Sequence, residues 1–338
     1  MQQRYVGRTG LRVSRLGLGT MTWGRDTDVH EATDQLHDFT DAGGTLIDTG
    51  NGYGGGVAEE VLGGLLGDVV ARDDVVICAR AGAARPPAGS PSFNGAGGAP
   101  DTSRRAMLAA LDGCLTRLGT DHLDLWLVPG WSPAVPLDET LSALDAAVTS
   151  GRARYAGVSN FAGWQLALAA AGAVASGMAG TGRAAPGTPV AVEAEYSLVQ
   201  RGIERELLPA ATALGVGVLA WSPLGRGVLT GKYRTGTPAD SRAASDHLAH
   251  FVAPYLNRAA RRVVDAVVTA GDGLGCSPLE VALAWVRDQP GICSAIVGAR
   301  TAAQLRASLA SDDVELPTEI RAALDEVSAP ALGYPERV

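Results

Sequence analysis

VVICAR, residues 75–80, is a run of five small or apolar residues that ends in an arginine. It is short, rich in β-branched residues and free of polar alternation, so it reads as a strand buried on both faces. TLIDT (45–49) begins 30 residues before it and RLGLG (15–19) a further 30 before that. HLDLWLV (122–128), RYAGVSN (154–160), VAVEAEY (190–196), GVGVLAW (215–221) and CSAIVG (293–298) continue the series. Between them lie helical patterns, as in SRRAMLAALDGCLTRL, where Met107, Leu108, Leu111, Leu115 and Leu118 recur at three- and four-residue spacing behind a Ser103 cap. Eight strand–helix units of this kind predict an α/β fold, a (β/α)8 TIM barrel forming one domain over 1–338. The opening residues, through RYVGRTGLRVS, read as a short β-hairpin plugging the bottom of the barrel, and an extra helix closes the C-terminus. The rival architecture, a doubly wound dinucleotide fold, lacks its fingerprint: GLGTMT (17–22) puts Thr22 where the third glycine belongs.

Hydrophobic content of 46% against 19% charged residues is that of a folded globular chain. A net charge of −8 leaves no basic stripe for a phosphate backbone, so nucleic acid is not an expected partner. Neither a signal-peptide core nor a membrane-length apolar run is present, which predicts a cytoplasmic protein without a membrane partner. Cys78, Cys114, Cys276 and Cys293 have no ligand-like spacing and read as reduced thiols, and the five histidines form no metal constellation.

The strand ends carry the words LGLGTMTWG, LIDTGNGYG, LDLWLV, YAGVSNF, AEYSLVQR, WSPLGRGVLTGKY and IVGARTAAQL. In order and spacing they resemble the aldo-keto reductases over nearly the whole chain. That resemblance implies a barrel that binds NADPH or NADP+ in an extended pose and reduces a small-molecule carbonyl: an aldehyde or ketone, or an imine. It also implies a catalytic group of Asp, Tyr, Lys and His. Asp48 and Tyr53 fill the first two places, Arg80 stands where the Lys belongs and Pro129 where the His belongs.

Hydride addition to a carbonyl leaves alkoxide character on oxygen, so the site needs a proton donor and fixed dipoles aimed at that oxygen. Tyr53 is the expected donor, with Arg80 expected to hydrogen-bond both Asp48 and Tyr53 and to supply positive charge without losing a proton. On the cofactor side, the resemblance implies that Ser159, Asn160 and Glu193, the last replacing a Gln, hold the nicotinamide carboxamide, and that Trp221 stacks under the ring. Ser222 opens the run SPLGRGVLTGK, where Leu224, Gly225 and Gly227 are expected to offer backbone donors to the pyrophosphate, with charge from Arg226 and from Lys232, the single lysine. Gly298, Arg300, Gln304 and Ser308 are expected to meet the adenosine 2′-phosphate region, Ser308 standing in for the usual Asn behind Ala307.

Arg80, Pro129 and Glu193 leave two functional readings. One is an NADPH-dependent oxidoreductase with a retuned site; the other is an NADPH-binding regulatory or scaffold protein that has lost turnover. His247 and His250 are candidates for the donor that Pro129 lacks, against a solvent-facing pair. Glu59 is weighed as a cofactor contact against a helix-end acid. Trp131 beside Pro129 and Pro133 suggests an apolar wall and thus an apolar or aromatic substrate. Trp23 is read either the same way or as core. Substrate specificity is assigned to loops 81–100, 130–136 and 234–256.

Overall fold

The computed structural model of the chain describes residues 1–80, 100–175, 186–330 and 333–334. Strands β1 (Gln3–Tyr5) and β2 (Arg12–Ser14) pair antiparallel as the expected hairpin. Eight further strands follow: β3 (Leu16–Gly19), β4 (Leu46–Gly50), β5 (Val76–Arg80), β6 (Leu123–Val128), β7 (Ala153–Ser159), β8 (Pro189–Glu195), β9 (Gly217–Trp221) and β10 (Ile292–Val297). Each pairs parallel with its neighbours and β10 returns to β3, closing the barrel. The eight strands match the eight apolar runs because a strand buried on both faces has no polar position to alternate with. Asp124 departs from that pattern at the start of β6. Its carboxylate accepts from the Ile77 amide and from Arg72, both at 2.8 Å.

The helices form where the 3.6-residue period and the end residues agree. Ser103 caps Arg104–Leu118 by accepting from the Ala106 amide, and Met107, Leu111, Cys114 and Leu118 form its buried face. Ser277 and Glu280 make a reciprocal capping box around Pro278 at the start of Pro278–Arg287. Thr318–Val327 is the additional C-terminal helix. Among the described residues, no helix is long and apolar enough to cross a membrane. The Gly-, Pro- and Ala-rich stretches 81–100 and 175–189, whose composition predicts long loops, fall largely outside the described residues.

Val6 and Val13 of the hairpin are fully buried with Leu46, Cys78, Leu125 and Leu219, so the hairpin closes the lower end of the barrel. Gly7 sits between the two hairpin strands at φ 55°, and a Cβ there would lie 2.3 Å from the Gly215 carbonyl oxygen and 2.7 Å from the Gly217 nitrogen. Gly7→Ala is expected to cost about 2–4 kcal/mol, combining left-handed strain with forced separation of the plug from β9. Urea unfolding checks this: the midpoint should fall while the slope stays unchanged.

Candidate active site

Parallel strands deliver all their C-terminal ends to one rim, and the register sets which side chains meet there. Cα partners Gly50↔Arg80, Ser159↔Glu193 and Glu195↔Trp221 bring residues from β4, β5, β7, β8 and β9 onto one arc. Tyr53 follows β4 in a tight turn whose Gly54, Gly55 and Gly56 all have positive φ, between 60° and 105°. A run of three such residues is open to glycine at little cost. It swings the chain into Val57–Leu65 and turns Tyr53 back toward the strand end.

There the Tyr53 hydroxyl donates to Asp48 Oδ2 at 3.2 Å. Arg80 Nη2 donates to the same oxygen at 3.1 Å, and the guanidinium carbon lies 5.1 Å from the centre of the Tyr53 ring. The other arm of Arg80, Nη1, donates to Glu193 Oε1 at 2.6 Å. Arg80 therefore bridges Asp48 and Glu193; the expected bond from Arg80 to the Tyr53 hydroxyl is replaced by cation–π contact with the ring. Asp48, Arg80 and Glu193 are 2%, 8% and 0% exposed, so the three charges sit almost outside water. Burial raises the Asp48 carboxyl to about 6 against the pull of Arg80. Burial raises Glu193 further, to about 8, again opposed by Arg80 and reinforced by Asp48. Two carboxylates sharing one guanidinium in a dry site cannot both ionise cheaply.

A cleft of about 310 Å³ runs from this group along the rim. Trp221 lines its middle, half-buried, with its indole N–H bonded to Asn160 Oδ1 at 3.1 Å. Asn160 spends its amide on the carbonyl oxygen of Pro129 at 3.4 Å, so the position after β6 contributes a carbonyl and no donor. Asn160, Ser222 and Arg226, all at this rim, are the described residues other than glycine with positive φ. Strained backbone gathered along one cleft is a mark of a binding site. Ser159 lies buried beside Glu193, its hydroxyl without a completed hydrogen bond.

The far end of the cleft is cationic. Lys232, Arg242 and Arg300 all line it, with Gly298, Gln304 and Ser308 around them. Partial burial, then Arg242 and Arg300, push the Lys232 ammonium below its usual value, and burial with Arg300 does the same to Arg242. Cations crowded in this way suit a multiply charged anion. Arg242 was absent from the sequence reading, because the segment after β9 has no period that marks it. Leu224 also lines the cleft, but the Gly225 and Gly227 amides expected for the pyrophosphate donate within the turn, to Ser222 O at 2.9 Å and Leu224 O at 3.0 Å.

Arg226 does not act as a free pyrophosphate cation either. Its guanidinium forms a two-bond pair with Glu195 at 2.8 and 2.7 Å, donates to the Phe251 carbonyl at 2.6 Å and packs 3.9 Å from the Phe251 ring centre. It thereby ties the segment 241–256 to the barrel, and Arg242 and Phe251 of that segment line the cleft. A readable signal was present: Glu193 and Glu195 share one face of β8, so a buried acid and a partly buried one each called for a cation.

The remaining candidates lie elsewhere. His247 bridges Ser245 at 2.8 Å and Asp26 at 3.3 Å, and His250 is exposed; neither lines the cleft. Glu59 is buried against Arg117 at 2.5 Å. Trp23 is core, its N–H bonded to Gln35 at 3.0 Å. Trp131 packs edge-on against Phe161 and Trp164, with ring centres 5.6 and 5.3 Å away.

The model of the Aldo/keto reductase family matches residues 15–329. The chain is 35% identical over 334 residues to "Uncharacterized oxidoreductase YrpG" of Bacillus subtilis (strain 168), covering 97% of this chain and 96% of that one. It is 33% identical over 350 residues to a probable voltage-gated potassium channel subunit beta of Oryza sativa subsp. japonica, covering 100% and 98%. It is 31% identical over 349 residues to L-glyceraldehyde 3-phosphate reductase of Escherichia coli (strain K12), covering 96% and 92%.

Proposed function

The chain belongs to the aldo/keto reductase family, and on that premise we propose that it is a single-domain oxidoreductase, 1–338, that uses NADPH to reduce a small-molecule aldehyde, ketone or imine. The observation that carries this reading is one continuous cleft with Tyr53, Asp48 and Arg80 at one end and three cations at the other, separated by an indole. Those residues fit the dinucleotide: Lys232, Arg242 and Arg300 for a 2′-phosphate dianion, Trp221 as an aromatic platform, Ser159 as a buried hydroxyl able to meet an amide. When bound, NADPH supplies a hydride.

Tyr53 supplies the proton. Its hydroxyl is the group at the inner end of the cleft with a proton to give, and giving it converts alkoxide to alcohol and leaves a tyrosinate that water reprotonates from the cleft mouth. Asp48 orients the phenol, and Arg80 lies against the ring that must carry the negative charge. Pro129 provides no second donor, so the substrate oxygen depends on Tyr53 for its hydrogen bond. Trp131, two residues after Pro129, packs edge-on with Phe161 and Trp164 just beyond the end of β6 and outside the described cleft, and an apolar or aromatic substrate extending past the rim would meet this cluster.

NADPH binding, followed by quenching of tryptophan fluorescence, tests the cationic end. Arg242→Ala or Lys232→Ala should weaken NADPH about tenfold to a hundredfold, the worth of one charge-assisted hydrogen bond, and leave NADH unchanged. Equal losses for both nucleotides would remove the 2′-phosphate assignment. NADPH oxidation with a panel of aldehydes, ketones, imines and quinones tests turnover. NADPH binding without reduction of any of them would instead support a regulatory subunit, the reading that the missing donor at Pro129 favours.

A further inference from the structure

We propose that Glu193 is a positioning residue of the catalytic group: by taking one arm of the Arg80 guanidinium it holds the cation beneath the Tyr53 ring and leaves Asp48 as the partner of the Tyr53 hydroxyl. This rests on the reading of Tyr53 as proton donor.

An ammonium is a point charge that one carboxylate can balance, whereas a guanidinium is a rigid fork whose second arm, once buried, needs its own acceptor. In this barrel the second acceptor is Glu193, whose Oε1 lies 2.6 Å from Arg80 Nη1, closer than Asp48 Oδ2 is to Nη2 at 3.1 Å. With both arms engaged, the Tyr53 hydroxyl donates to Asp48. Glu193 is fully buried and does not line the cleft, so its influence on a substrate has to pass through Arg80. Arg80 and Glu193 together occupy the places of a Lys and a Gln in the family pattern, and the new carboxylate meets the second arm of the new guanidinium, so the two exchanges are coupled rather than two separate losses.

The arrangement also sets the charge around the phenol. The groups facing Glu193 are Arg80, Asp48, the Ser159 hydroxyl and the buried Cys78 thiol. Asp48 Oδ1 and Glu193 Oε2 are buried without hydrogen-bond partners, and Arg80 is the one cation paired with both acids, the other donors to them being the neutral hydroxyls of Tyr53 and Ser159. At the alkaline pH where a phenol ionises, both carboxylates are charged and the trio carries one net negative charge. That charge holds the proton on Tyr53. Removing it leaves a neutral trio and frees an arm of Arg80 to meet the phenolate oxygen.

The test is the tyrosinate absorbance titration of Tyr53, taken as the difference between each protein and its Tyr53→Phe counterpart, with no cofactor or substrate added. Glu193→Gln is expected to lower the pH of Tyr53 ionisation by about one unit, the effect of one nearby charge. The basic limb of the kcat profile for NADPH-dependent carbonyl reduction should move down with it. Should Glu193→Gln fail to fold, Arg80→Lys/Glu193→Gln carries the same test, since an ammonium needs no second carboxylate, and Tyr53 should again ionise about one unit lower. A folded variant in which Tyr53 ionises where it does in the wild type overturns the proposal, because a purely structural Glu193 would change melting without moving the phenol. A shifted titration in a protein that reduces no carbonyl supports the positioning and overturns the assignment of Tyr53 as a working donor.

Discussion

Tyr53→Phe lowers kcat for carbonyl reduction by about a hundredfold to ten-thousandfold, the usual contribution of a positioned general acid, while NADPH affinity and melting stay close to wild type. The separation of these effects follows from the geometry. The hydroxyl makes one hydrogen bond, to Asp48 Oδ2, and that oxygen keeps its bond from Arg80 when the hydroxyl is removed. No buried acceptor is newly stranded, so the cost to stability is at most that of one ordinary hydrogen bond, about 1 kcal/mol. The phenyl ring of the variant still covers the guanidinium, which lies 5.1 Å from the ring centre. With Pro129 supplying no alternative proton, nothing described in the cleft compensates. Steady-state kinetics with NADPH titrated by fluorescence checks it. A variant with near wild-type kcat would move the proton donation to another group.

Arg80→Met carries the second large effect, on the fold itself. The substitution keeps much of the side-chain volume and removes the cation between two buried carboxylates. Taking away one partner of a buried ion pair costs about 3–5 kcal/mol, because the remaining charge is left uncompensated. The deficit depends on pH with a definite sign. Asp48 and Glu193 are already raised to about 6 and about 8 with Arg80 present, and losing Arg80 removes the influence that lowers both. Groups raised in the folded state stabilise it fully below their unfolded values near 4, and that stability is lost as pH rises through the folded values. Arg80→Met should therefore fall furthest behind wild type above neutral pH and recover on acidification toward pH ~5, where both acids can fold protonated. Urea unfolding of both proteins across that range checks it. A deficit independent of pH would mean that packing, rather than charge, is what Arg80 contributes.

Together these two variants separate catalysis from architecture in one small cluster. The phenol acts on the substrate side of Asp48, and the guanidinium acts on the barrel side. Arg226 and Glu195 repeat the same device one step outward, using a partly buried pair to hold a chain segment rather than a catalytic group.

Much of the fold was legible in the chain because its determinants are local. An apolar run of five to seven residues that is rich in β-branched residues and flanked by breaks is too short for a core helix and reads as a buried strand, and a helix announces itself through its period and its cap, as Ser103 and Ser277 do. Eight strand–helix repeats then leave few closures, and the family words at the strand ends point to Asp48, Tyr53, Trp221 and the cationic residues Lys232 and Arg300. What the sequence could not determine is which charge meets which. Arg80 and Glu193 are 113 positions apart, and the distance between them is set by strand register and barrel closure. Sequence reading assigned Glu193 to the cofactor and Arg226 to the pyrophosphate by their place in familiar words. Tertiary structure committed both to ion pairs, because a buried charge takes the nearest opposite charge available to it. Arg242 reached the cleft because segment 241–256 is tied down by Arg226, by Tyr233 and by His247 on Asp26, contacts with no local signature in the chain.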